Sequence, residues 1–415
     1  MKEKDAILVT GGTGTVGSRL SEMLARRFPD RVVVAARDAH RARALAARIG
    51  EGVRGVGIDV HSAERAQAAC ASAALVVNCV PLSAPFPLLR SVVEHGCAYT
   101  DVSPSLIGDT VFALHERAQQ TGARVIAGAG LAPCTSNFIA RRLFQELGAL
   151  ERVDVTLQLH LGDEIGAAAL ASLLALAGAS LPAIHGGQAE MFRPFQLRRR
   201  IATRSGRRTS LRAPFCDQLW IARSLGVPSA ATWLVLEPRW AGQAFALLAA
   251  MGALPRLARR GASGASLRAL RILKRSLRVR GDDVALIVEA TTGRGRGVLE
   301  LHTNCEAHAT AAAASLVARA LLGEQPVAPG VWVPDQAIST DWFLSELDRL
   351  GLAPEAAVAR KEAARHRSMA KHYAGGKLMQ RDAARLHCER LAKRADQTAA
   401  EYDGLAAAHE AEGGR

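Results

Sequence analysis

Residues 9–20 read VTGGTGTVGSRL, with Gly11, Gly12, Gly14 and Gly17 crowded into seven positions. Before them runs the apolar AILVT, and after them Val16, Leu20, Met23, Leu24 and Phe28 recur at helical spacing. Strand, turn and helix therefore follow in that order. Gly12, Gly14 and Gly17 form a G-x-G-x-x-G. In such a loop the first glycine permits a sharp turn, the second lets backbone approach a pyrophosphate, and the third lets helix and strand pack closely. A helix that starts near Thr15 turns its free N–H groups and positive dipole end toward the phosphates. Thr13, Thr15 and Val16 complete the expected cofactor loop.

The same alternation continues to residue 130. Apolar runs VVVAA, VRGVGIDV, LVVNCV, AYTDV and RVIAGAG are separated by stretches of helical period. Strands apolar throughout are buried on both faces, and buried strands joined by helices imply a parallel sheet covered on both sides. The expected class is α/β, a doubly wound Rossmann domain. The end of its second strand reads AARDAHRAR, which puts Arg37 where an NAD site usually carries a carboxylate. A guanidinium there suits a 2′-phosphate and favours NADP, with Asp38 keeping NAD as the alternative. Asp59, after the third run, is placed to touch the adenine edge or to cap the next helix.

Beyond residue 133 the pattern changes. NFIARRLFQEL reads as a helix, VDVTLQLHL as a strand, and DDVALIVEATT with GVLELHTNC as two more strands in an antiparallel or mixed sheet. The expected division is a Rossmann domain over 1–133, completed by a return segment near 309–352, an α+β mixed-sheet substrate and dimerisation domain over 134–308, and a helical or partly disordered tail over 353–415. Residues 166–184 are uncharged but rich in Ala, Gly and Ser, and read as a buried helix, not a membrane span.

The chain has 415 residues, a formal net charge of +14 and only 4% aromatic residues. Seven arginines lie between 198 and 212 in what reads as a loop, and 267–280 reads as a basic amphipathic helix. With no aromatics between the charges, nucleic acid is not the expected partner. A solvated basic face is the first expectation, with an anionic or carrier-bound small molecule, or peripheral contact with a membrane, as the binding alternatives. Seven cysteines without a CxxC pair speak against a disulfide framework and fit a reducing cytoplasm. His302, Cys305 and His308 have metal-like residue types but lack a fourth partner, so the metal expectation is none. No P-loop, HExxH or G-x-S-x-G occurs.

TGGTGTVG, VVVAAR, LVVNCVP, AYTDVS and VIAGAGLAPCTSN, with the later PGVWVPDQAISTDWFLSELDRLG, together resemble the saccharopine dehydrogenase-like reductase family. The resemblance spans about residues 5 to 352 and is strongest in the first 140. It implies an NAD(P)-binding Rossmann domain, an inserted mixed sheet that often builds a homodimer, and hydride transfer, most often at a carbon–nitrogen bond. By position it implies that Asn78, Cys79, Val80 and Pro81 face the cofactor, and that Tyr99, Asp101 and Ser103 sit at the next strand end. Gly130, Leu131 and Pro133 match the family's turn into the second domain. Where the family has glycine after that proline, this chain has Cys134, which would set a thiol beside the substrate. Asp101 and Tyr99 are the expected catalytic residues, as proton donors beside the hydride acceptor, with N-capping or packing as the alternative reading. His160 and His185 are weaker candidates. The expected function is an NADP-dependent reductase of an imine or related polarised bond in a small-molecule biosynthetic pathway. Its rivals are an enoyl reductase near a membrane, for which the apolar 244–254 is a hint, and a non-catalytic NADP-binding sensor or scaffold.

Overall fold

The computed structural model describes residues 5–81, 87–102, 109–163, 181–254, 284–293 and 295–356. Ser103, the basic segment 267–280, most of the uncharged stretch and nearly all of the tail lie outside them. Among the described residues up to 126 there are six strands with helices in every connection, two of them between the last pair. The strands are β1 (Ala6–Thr10), β2 (Val32–Ala36), β3 (Arg54–Gly57), β4 (Ala73–Asn78), β5 (Ala98–Asp101) and β6 (Arg124–Ile126). Between them run α1 (Thr15–Arg27), α2 (Ala39–Ile49), α3 (Ala63–Cys70), α4 (Pro87–Glu94), α5 (Asp109–Phe112) and α6 (His115–Thr121). All six strands are parallel, in the order β6-β5-β4-β1-β2-β3. Strand order reverses between β1 and β4, and the carboxyl ends flanking that reversal are where such sheets collect ligands.

After α7 (Thr135–Leu147) a second sheet forms from β7 (Arg152–His160), β10 (Arg198–Thr203), β11 (Gly206–Arg212), β12 (Ser229–Glu237), β13 (Val284–Thr292), β14 (Gly295–Thr303) and β16 (Glu355–Ala356). Its order is β10-β11-β12-β7-β13-β14-β16, with β12 parallel to β7 and the other neighbours antiparallel. A small hairpin, β8 (Leu181–His185) with β9 (Gln188–Phe192), stands apart from it. The helices α8 (Asp217–Leu225) and α9 (Arg239–Ala250) flank β12.

The chain then returns to the first sheet. The alanine-rich α10 (Glu306–Arg319) packs against α1 and against β4 and β5, and its small side chains permit burial on nearly every face. β15 (Gly330–Trp332) adds a seventh parallel strand beside β6, and α11 (Pro334–Ala337) and α12 (Thr340–Arg349) follow. Phe343 of α12 stacks on Phe138 of α7, with ring centroids 3.9 Å apart. One apolar cluster runs from Ile7, Leu20 and Ile126 through Phe138 and Phe343 to Val155, Leu286 and Val288, so the two sheets share a core.

Three sequence expectations need correction here. The arginine-rich 198–212 is a strand pair, not a loop, in which Ile201, Ser210 and Leu211 are buried while Arg198 and Arg200 are exposed. Residues 181–184, read as the end of a buried helix, form β8. The sharp turn of the glycine loop falls on Gly11, at φ +66°, and not on Gly12.

Candidate cofactor and active site

The glycine loop separates into positions that the fold needs and one that it leaves open. A Cβ on Gly17 would stand 2.4 Å from the Gly11 carbonyl oxygen and 2.9 Å from Gly12 Cα. On Gly12 it would meet Val34 Cγ1 at 2.8 Å. Both glycines are buried contacts between α1 and the sheet. Gly14 is exposed, and a Cβ there would meet only the Gly11 oxygen, at 3.1 Å. As N-cap of α1, Gly14 offers no side chain to the first turn, and no acidic residue stands in that turn. The N–H groups of Thr15, Val16 and Gly17 thus have no intrahelical acceptor and no acidic side chain in their own turn, which suits a pyrophosphate. Thr13, half-buried, lies between Gly12 and the open helix end.

Just after β2, Arg37 is exposed, as is Arg41 in the first turn of α2. Asp38 is the N-cap of α2, where its carboxylate accepts from the N–H groups of His40 and Arg41. It is therefore less available to a ribose than its position in the sequence suggests. Asp59 lies two residues beyond β3 and accepts from the His61 N–H at 3.1 Å, while Ser62 caps α3.

Across the strand-order reversal, the ends of β1 and β4 are knitted together. Thr10 Oγ1 donates to Asn78 Oδ1 at 2.6 Å, and Asn78 Nδ2 donates to the Val80 carbonyl at 2.7 Å. This holds the turn Cys79-Val80-Pro81 against Gly11, with the exposed Pro81 at its edge. Burial, with Asp101 adding to it, pushes the Cys79 thiol up to about 12, so it is a neutral thiol at pH 7. Asp101 and Tyr99 end β5 and are 1% and 0% exposed. Burial, then the charge of Asp101, raises the Tyr99 phenol well above its usual value.

The Gly130 turn is wound tightly. Ala132–Pro133 is cis, and the Gly130 N–H donates to the Pro133 carbonyl at 2.9 Å. Cys134 then takes φ +104°, a conformation that suits glycine, and its side chain is fully buried. Burial, then Asp335, raises its pKa, so this is a packed thiol and not an exposed nucleophile. The price of that backbone is testable. Cys134→Gly is expected to be more stable than Cys134→Ala by about 1–2 kcal/mol, because alanine keeps the unfavourable φ without the thiol's packing. Urea midpoints of the two variants check this, and equal midpoints refute it.

Two residues that sequence reasoning passed over lie beside this turn. Thr310 of α10 donates to Glu306 Oε1 at 2.6 Å and accepts from the Leu131 N–H at 3.2 Å. Glu306 sits at the start of α10, and its N–H donates to Asp163 Oδ2 at 2.8 Å. Burial, then the neighbouring Asp163, raises its carboxyl above the usual range, opposed by Thr310 and by Arg19 of α1. In the sequence nothing marks Glu306, which lies just ahead of the return segment expected near 309–352. Only the return of α10 to the first sheet gives it a place in the site.

Of the weaker candidates, His160 ends β7 and accepts from the Gly162 N–H through Nδ1 at 2.9 Å. His185 belongs to the β8–β9 hairpin. His302 faces Glu300 at 3.1 Å. Among the arginines of 198–212, Arg199, Arg208 and Arg212 turn to Asp154, Glu237 and Gln218, whereas Arg200, Arg204 and Arg207 are exposed. Among the described residues no helix is long and apolar enough to cross a membrane.

Residues 7–126 match the saccharopine dehydrogenase NADP binding domain family. Saccharopine dehydrogenase (L-Glu forming) from Saccharomyces cerevisiae superposes with a TM-score of 0.61 at 15% identity, covering 85% of this chain and 99% of that one. Homospermidine synthase from Legionella pneumophila, solved with NAD, gives 0.58 at 14% identity over 85% and 90% of the two chains. At such identities the superpositions speak for the fold. No curated protein matches the sequence significantly. The glycine loop and the family match agree that residues 7–126 are a saccharopine dehydrogenase-type NADP-binding domain, and the chain as a whole shares the two-sheet fold of saccharopine dehydrogenase.

Proposed function

We propose that the chain is an NADP-dependent reductase that acts on an imine or a related polarised C=N or C=O bond of a small molecule. The observation that carries this reading is the N-terminus of α1, which has no side-chain cap and no acidic residue in its first turn, together with the exposed Arg37 just after β2. The Gly14–Gly17 backbone would hold the pyrophosphate, and Arg37 the 2′-phosphate. When bound, the nicotinamide supplies the hydride. The protein's own work is to fix the acceptor at the ends of β4 and β5, to exclude water and to manage one proton. Asn78 holds the β4 turn in shape. The burial of Asp101 and Tyr99 supports a positioning role beneath that turn, through charge and packing. The exposed Arg200, Arg204 and Arg207 would meet an anionic or carrier-bound substrate, and a cytoplasmic homodimer belongs to the same proposal.

The test combines binding with turnover. NADPH should bind, and a panel of imines formed from amines with aldehydes or ketones should include one that consumes it. Arg37→Ala should lower the NADP-to-NAD affinity ratio by about tenfold or more, the worth of one charged hydrogen-bonding pair. An unchanged ratio removes Arg37 from the site, and an NADPH-binding protein inert on the whole panel overturns the reductase reading.

A further inference from the structure

α1 and α10 lie side by side and run the same way. Arg19, early in α1, acts on Glu306 at the start of α10, and Arg27, at the end of α1, pairs at 3.0 Å with Glu324 just beyond α10. Both helices therefore present their N-termini at the carboxyl edge of the first sheet. α1 opens toward the β1–β4 reversal, and α10 packs against β4 and β5. A second sheet arrives at the same place, because β7 ends at His160 and Asp163 follows to cap α10. Glu306 is thus held where the cofactor domain and the inserted sheet meet, and it remains partly open.

We propose that Glu306 is the acid–base residue of this site, exchanging a proton with the nitrogen of a bound imine or amine. The inference rests on the reductase reading and assigns its proton. As the imine carbon takes the hydride, the Glu306 carboxyl gives its proton to nitrogen and becomes a carboxylate. It then takes the next proton from water. In the reverse direction the carboxylate removes that proton from the amine. The surroundings suit both states. Thr310 fixes one carboxyl oxygen and is itself anchored on the Leu131 N–H, so the group is oriented from the turn into the second domain. Asp163 disfavours a second negative charge, and Arg19 tempers that effect. The neighbouring Cys305, its pKa raised by burial and by Asp163, stays a neutral thiol. Asp101 and Tyr99, by contrast, are closed off in the same structure.

The experiment needs no substrate. Affinities for NADP+ and NADPH are measured between pH 5.5 and 9 by fluorescence and calorimetric titration of the full chain. A carboxylate beside the ring favours the cationic, oxidised nicotinamide, so the NADPH-to-NADP+ preference should fall by about threefold to tenfold as pH rises. The 2′-phosphate titrates in both cofactors and cancels in this ratio. Glu306→Gln mimics the protonated acid, keeps an oxygen for Thr310, and should flatten the ratio while NADPH binding persists. Glu306→Asp should restore part of the step, and Asp163→Asn should move its midpoint down without removing it. A flat wild-type ratio, or a step unchanged in Glu306→Gln, overturns the proposal. Failure to bind NADPH at all would instead fail the cofactor reading.

Discussion

Alanine at Gly17 is expected to abolish NADPH binding and to destabilise the fold, whereas alanine at Gly14 is expected to abolish binding alone. The difference follows from what each new Cβ would touch. At Gly17 the obstacles are backbone atoms of Gly11 and Gly12, at 2.4 and 2.9 Å, and backbone cannot rotate aside. α1 would have to lift off β1, and overpacking of this kind costs about 1–3 kcal/mol. At Gly14 the one close atom is the Gly11 carbonyl oxygen at 3.1 Å, which a shift of a few tenths of an ångström in the exposed loop relieves, and φ is −80°, which alanine adopts readily. Stability should then stay within about 0.5 kcal/mol of the parent. The added methyl still stands at the exposed N-cap, where phosphate oxygens must come within hydrogen-bond reach of the helix N–H groups. A loss of about 100-fold or more in NADPH affinity is expected from displacing those charged hydrogen bonds. Urea denaturation and fluorescence titration of both variants separate the two effects. If Gly14→Ala binds NADPH as the parent does, the pyrophosphate does not lie on this helix end.

The first sheet was legible because its strands are apolar throughout and its connections follow helical period, both of which are local signals. β1, β2, β4 and α1 can be read directly from AILVT, VVVAA, LVVNCV and the Val16–Phe28 spacing. β12 could not be read in the same way. SAATWLVLE sits between two helices in the sequence, and its partner β7 lies 77 residues earlier, so its pairing is a tertiary fact. β15 is only three residues long, and nothing in GVW indicates that it will extend the first sheet beside β6. The same distinction divides the candidate site. Gly12, Gly14, Gly17 and Arg37 announce themselves by spacing within one βαβ unit. Glu306 and Thr310 lie one turn apart on α10 and Asp163 follows β7, 143 residues before Glu306, and they reach the site only because α10 returns to lie along α1. Asp38 shows the converse limit. Its position after β2 is legible, but its engagement as the cap of α2 depends on where that helix begins.

Replacing Asp154 with alanine is expected to destabilise the protein by about 3–5 kcal/mol, the usual cost of removing one partner from a buried ionic cluster. Asp154 is 6% exposed on the face of the second sheet opposite Val153 and Val155. Arg152 donates to both of its oxygens, at 2.7 and 3.1 Å, Arg199 Nη1 lies 2.9 Å from Oδ2, and Trp233 Nε1 donates to Oδ1 at 2.7 Å. Arg199 also pairs with Glu289, the cross-strand neighbour of Asp154, and lies over the Trp233 ring, 4.8 Å from its centroid. Without Asp154 the half-buried Arg199, already disfavoured as a cation by burial, keeps one carboxylate and faces Arg152 across the gap. Asp154→Asn, which can still accept from Trp233, should cost less than alanine. The pH dependence separates charge from shape. Burial pushes the Asp154 carboxyl up, but Arg152, Arg199 and Trp233 outweigh it and hold the carboxyl below its usual range. A carboxylate whose folded pKa is depressed contributes stability that is fully present above the unfolded value, about 3.9, and is lost as pH falls through the folded value. Urea midpoints at pH 7 and pH 3 should therefore differ more for the parent than for Asp154→Asn. Equal differences in the two proteins would mean that the cluster holds the sheet by packing and not by charge.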